Sequence, residues 1–187
     1  LGTRRRGAHQ VFDVKVTQRR LGHPKVSGMV RANLQVSWER FRDPLGEFPS
    51  GNQDQQDLTL GAGVLGRLSW TPHDPQILSL IPEYRFETYR GDDPGRRLPT
   101  SRRHRLGLAL RDRIVFWKDR VSITPVVRMD LLWHEANGTT AALEPLEDSF
   151  HWFFSPRLGL RLQALRWLEL RGNVGRYFRP PNIFELY

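Results

Sequence analysis

The sequence predicts an all-β fold: an antiparallel, up-and-down, transmembrane β-barrel segment of about eight strands. Three observations predict it. Apolar residues recur at every second position in segment after segment, connections of contrasting length follow one another, and the tryptophans gather near the expected strand ends. Side chains of a strand alternate between two faces, so a period of two marks a sheet with one apolar and one polar face. In an outer-membrane barrel the apolar face meets lipid and the polar face meets the wet interior.

The strands are expected, in order, at 10–17, 29–40, 56–70, 76–90, 102–117, 120–134, 151–163 and 166–178. The segment 76–90 is the clearest. Leu78, Leu80, Pro82, Tyr84 and Phe86 fall on one face, and Ser79, Glu83, Arg85 and Glu87 on the other. A helical period mixes these two sets. In 120–134, Val121, Ile123, Val127, Met129, Leu131 and Trp133 alternate with Ser122, Thr124, Arg128, Asp130 and His134. Trp152, Phe154, Leu158, Leu160 and Leu162 alternate likewise with Ser155, Arg157 and Arg161.

The connections predict direction. After an intermediate link at 18–27 come a long 41–55, a tight 71–75, a long 91–101, a tight Lys118-Asp119, a long 135–150 and a turn near Ala164-Leu165. Short periplasmic turns at one end and long extracellular loops at the other produce this parity. Tracing up and down, Trp38, Trp133 and Trp152 fall at the long-loop end, and Trp70, Trp117 and Trp167 at the short-turn end. Indole rings favour the lipid–water boundary, so two belts are expected. Parity places Trp117 and Trp167 on the polar face, and Pro82, Pro125 and Pro156 interrupt strands on the lipid face, where local bulges are expected.

Composition narrows the function. The 187 residues hold no Cys, which excludes disulfide scaffolds, Cys-ligated zinc and thiol chemistry. The net charge is +9, and Lys occurs only at 15, 25 and 118, so the basic residues are nearly all Arg. These arginines alternate with apolar residues along strands or sit in turns and loops, and they form no single stripe that would track a nucleic-acid backbone. Nucleic acid is therefore not expected as a partner; outer-membrane lipid is. No run approaches the ~18 apolar residues of a spanning helix, which says nothing against a barrel, whose strands are apolar only at alternate positions.

The charged face supplies the site candidates: Glu83, Arg85, Glu87, Arg128, Asp130, His134, Arg157 and Arg161 are expected to line a lumen. Opposite charges at alternate positions can pair across neighbouring strands. His134 and His151 flank the loop 135–150, where a metal chelate is conceivable, but scattered lumen histidines are the more economical reading. The acidic loop residues Glu135, Glu144, Glu147 and Asp148 match no calcium-loop spacing. No catalytic, cofactor or metal constellation appears, so an enzyme is not expected.

The C-terminal pattern adds a family. Ser155-Pro156-Arg157-Leu158-Gly159-Leu160-Arg161, then Leu168-Glu169-Leu170-Arg171-Gly172-Asn173, then Gly175-Arg176-Tyr177-Phe178-Arg179-Pro180-Pro181-Asn182-Ile183-Phe184-Glu185-Leu186-Tyr187 resembles TonB-dependent outer-membrane receptors. Phe178, Arg179, Pro181, Glu185, Leu186 and Tyr187 carry the motif. The resemblance implies a barrel of about 22 strands plugged by an N-terminal domain. Residues 1–187 are then a part of its β-barrel domain, without plug, TonB box or the C-terminal strands. It also implies active uptake of a large scarce nutrient, such as a siderophore–iron chelate, cobalamin or a glycan. That uptake is driven through an inner-membrane energy-coupling protein, by a monomer in the Gram-negative outer membrane. The competing reading is a complete small barrel with a structural or adhesive role, which must pair the strand at 10–17 with the one at 166–178.

Overall fold

A computed structural model describes residues 4–43, 53–93, 96–97, 100–137 and 148–178. They form one antiparallel sheet: β1 (Arg4–Gln18), β2 (Val26–Asp43), β3 (Gln53–Trp70), β4 (Gln76–Asp93), β5 (Arg96–Arg97), β6 (Thr100–Phe116), β7 (Val121–Asn137), β8 (Ser149–Leu165) and β9 (Leu168–Gly175). Spatial order follows chain order from β1 to β9, with the two-residue β5 paired to the end of β4. All eight expected strands are present, and most extend beyond their expected bounds. β5 is an addition: it lies inside the region read as a loop at 91–101, where Asp92 faces Arg97 and Asp93 faces Arg96.

β1 and β9 are the sheet edges and do not pair with one another among the described residues. The small closed barrel requires that pairing, so the structure does not support it.

The two faces differ as the alternation requires. Leu80, Val127 and Leu160 are 42%, 43% and 50% exposed, in company with Val14, Leu34, Val64, Leu110 and Leu170. The buried apolar side chains, Tyr89, Ala109, Val115 and Leu132, sit instead among the charges on the opposite face, together with buried Ser79, Ser101, Ser122, Asp130 and Ser155. That face is crowded because the sheet curls toward it, and small residues (Gly61, Gly63, Gly107, Ala109 and the serines) occupy many of its positions. A soluble protein has the reverse arrangement. Each large apolar side chain left in water forgoes about 1.5–3 kcal/mol, so the outer face requires a hydrocarbon cover.

Three details differ from expectation. The prolines cause lapses in pairing without bulges. Partners on β3 and β4 run to Leu65/Glu83 and resume at Leu68/Leu80 in the same register, with Pro82 in the gap. Gly66 faces it, and a Cβ there would lie 3.2 Å from the proline ring. Pro125 lies in a similar lapse between β6 and β7, from Arg111/Val126 to Ile114/Ile123. Pairing of β8 with β9 reaches Arg157/Gly175, one residue short of Pro156. Each proline thus turns its missing donor to a place where no ladder bond is required. The one register shift among the described residues lies at Gln163/Leu165. That bulge carries β8 on to Leu165 and moves the turn to 166–167, past the expected Ala164-Leu165. Finally, β6 ends at Phe116 because Trp117, Lys118 and Asp119 all take positive φ (48°, 52° and 68°) in a tight turn. Trp117 and Trp167 are therefore turn residues, 78% and 79% exposed, and strand parity does not assign them a face.

Candidate functional site

The charged face is built from odd positions of β4, β6, β8 and β9 and even positions of β7, because the register is unbroken across β4, β6 and most of β7. One cross-strand row runs Glu83, Gly107, Asp130. Gly107 explains how three strands share one guanidinium. A Cβ at Gly107 would collide with the Arg128 side chain and lie 2.9 Å from Asp130 Oδ1. The bare backbone leaves room for Arg128 to cross β6. Its Nη2 donates to Glu83 Oε2 and to Asp130 Oδ1, each at 2.7 Å, and its Nε donates to Asp130 Oδ2 at 2.8 Å. Arg105 Nε donates to Asp130 Oδ1 at 3.0 Å. The Arg128 and Asp130 side chains are 16% and 6% exposed, so this cluster is largely shielded from solvent.

The rows nearer the long-loop end continue the pattern. Glu87 receives Arg103 from β6, through Nε at 2.8 Å, and Arg85 from its own strand, with Nε–Oε1 at 2.7 Å. His134 Nε2 and Ser101 Oγ share a buried hydrogen bond of 2.6 Å. His151 is exposed on β8 near Phe153, whereas His134 is buried in its hydrogen bond to Ser101 on β6. Among the described residues no group of three His, Cys, Asp or Glu is placed to hold a metal ion. Tyr89 donates to Asp57 Oδ1 at 2.7 Å, which ties β4 to β3 on this face.

Toward the short turns the balance changes. A concavity of about 560 Å³ is lined by Arg111, Arg113, Arg157, Arg161, Arg171 and Tyr177, with Ser122, Thr124 and Asn173 between them. Glu169 pairs with Arg161 at 2.8 Å and with Arg171. Arg157 stacks 4.4 Å from the Tyr177 ring centre, and its buried Nε has no hydrogen-bond partner in the structure.

All eight expected lumen residues therefore lie on one face. Six of them, Glu83, Arg85, Glu87, Arg128, Asp130 and His134, fall in its middle and upper rows, and Arg157 and Arg161 lie in the arginine-rich concavity. Sequence reading missed Arg103, Arg105 and Gly107, because 102–117 is one of four weaker alternations; strand parity alone places all three on the polar face. Of the family motif, Phe178 stacks on Phe153. Arg179, Pro181, Glu185, Leu186 and Tyr187 lie outside the described residues.

Comparison with known proteins decides the family. The model of the TonB dependent receptor-like β-barrel matches residues 9–187. The chain belongs to that family. In fold, the TonB-dependent receptor barrel is also matched by a solved structure, BauA, the ferric preacinetobactin receptor from Acinetobacter baumannii. The TM-score is 0.62 at 11% identity over 91% of this chain. This chain spans 30% of the length of that receptor. No curated protein matches by sequence. For a TonB-dependent receptor the open edges are ordinary: the described sheet is an arc of a larger barrel. Family and fold together point to the outer membrane of a Gram-negative cell.

Proposed function

We propose that this chain forms part of the barrel wall of an outer-membrane active transporter for a large scarce nutrient. It works with a plug and a TonB box elsewhere in the receptor and is energised by an inner-membrane coupling protein. A ferric siderophore chelate is the first ligand class to test, because BauA is a ferric preacinetobactin receptor; cobalamin and glycans are the other classes. The observation that carries the reading is the inversion of faces: apolar side chains outward and exposed, Arg128, Asp130, Glu83 and Glu87 inward. Such a wall surrounds a wet passage, not a packed core. The described charges offer hydrogen-bonding and electrostatic contacts to a solute. The receptor is proposed to act as a monomer.

The test is uptake of radiolabelled ferric siderophores by cells that carry the receptor under iron limitation. Accumulation should disappear when either the receptor or the inner-membrane coupling protein is deleted. Accumulation that survives loss of the coupling protein refutes energised transport. A lipid-soluble photolabel that fails to mark Leu106, Leu110 and Leu158 refutes the barrel orientation itself.

A further inference from the structure

The lipid-facing side of β1 and β2 changes character at Trp38. Toward the short turns its outward positions include Phe12, Val14, Val16, Val30 and Leu34, all exposed. Toward the long-loop end the same face carries Arg4, Arg6, Arg40 and Arg42. The ladder sets Arg4 directly opposite Arg42 and Arg6 directly opposite Arg40. Like charges in that relation repel, so two such pairs in succession need an anion.

The described residues supply little of it. Asp54 accepts both guanidinium N–H groups of Arg40, at 2.7 and 2.6 Å, and lies 3.9 Å from Arg42. Among the described residues Arg4 and Arg6 make no ion pair. Arg5, between them in sequence but turned to the lumen, does pair, with Glu39. The deficit is therefore confined to the outward face. There the four guanidiniums and the Trp38 indole line a concavity of about 160 Å³.

We propose that this concavity is a binding site for the phosphate groups of a lipid headgroup in the leaflet on the long-loop side. Three facts select that occupant. The cluster continues the hydrocarbon-facing surface, so its partner stands in the membrane plane and not in the lumen. Trp38 marks the boundary level at which headgroups begin. Forked guanidiniums match phosphate oxygens bidentately. The site rests on the outward-facing reading of the fold and is independent of what the lumen transports, so failure of uptake leaves it standing.

The test uses the whole receptor reconstituted in phosphatidylcholine nanodiscs doped with bis-phosphorylated lipid A or with its phosphate-free counterpart. Lipid retained by the purified receptor is measured by native mass spectrometry. The wild type should retain the phosphorylated lipid preferentially. Each arginine removed in the series R4Q, R6Q, R42Q should lower retention about fivefold. The set R4K/R6K/R42K should keep part of it, since charge remains and the fork is lost. Heat-modifiable gel mobility confirms that each variant is folded, and R111Q/R113Q on the lumen wall should retain lipid as the wild type does. Equal retention of the two lipids overturns the proposal. So does undiminished retention by the folded triple Gln variant, or an equal loss in R111Q/R113Q.

Discussion

The middle of the charged face and its short-turn end are made of the same residue types and behave differently. In the middle, every charge is paired, in two clusters: Arg85 and Arg103 meet Glu87, and Arg105 and Arg128 meet Asp130, with Arg128 also reaching Glu83. At the short-turn end, Glu169 pairs with Arg161 and Arg171, while Arg111, Arg113 and Arg157 make no ion pair among the described residues. The difference teaches how a polar wall can serve two purposes. A paired cluster fixes strand neighbours, because each group is committed to a partner. An arginine-rich concavity commits few of its donors and keeps a positive field toward the passage.

The comparison breaks most decisively at Arg128. Arg128→Met leaves Asp130 and Glu83 without their shared partner, and removal of one member of a buried pair costs about 3–5 kcal/mol. Urea unfolding of the whole receptor in lipid vesicles should show that loss. A midpoint equal to wild type would mean that the network contributes nothing to holding β4, β6 and β7 together. The same measurement on Gly107→Ala should show about 1–3 kcal/mol of destabilisation, because the added methyl overpacks against Arg128. Arg113→Met should change stability by less than about 0.5 kcal/mol, as expected for a site without a committed partner. A loss at Arg113 comparable to that at Arg128 would erase the distinction between the regions. An effect of opposite sign sharpens the boundary of the arginine-rich end. Asp119 holds φ at 68° in the turn next to it, and Asp119→Gly should stabilise by about 1 kcal/mol by relieving a left-handed conformation.

Much of this architecture was legible in the sequence, for a reason that lies in covalent geometry. A strand cannot hide its period, so Val127 and Arg128 had to face opposite ways once 120–134 was a strand. The parity of connections likewise set the direction of each strand. What the sequence could not display was register. Arg128 finds Glu83 45 residues away, across an intervening strand, through a gap left by Gly107. Nothing local to any of the three announces that meeting. The prolines show the opposite failure: Pro82 suggested a bulge, but its effect was absorbed by Gly66 on the neighbouring strand, a compensation visible only once the strands are side by side. The turn at 166–167 escaped for a related reason, since one surplus residue between Gln163 and Leu165 displaced it.

β1 presents fifteen residues whose outer row of peptide groups has no strand beyond it among the described residues, and β9 closes the opposite flank in the same condition. In hydrocarbon such bare amides and carbonyls carry a penalty of several kcal/mol each. An arc of this kind cannot rest in a bilayer by itself. It must be zipped to further strands before or during insertion, which makes sealing of these two seams the step on which its insertion turns.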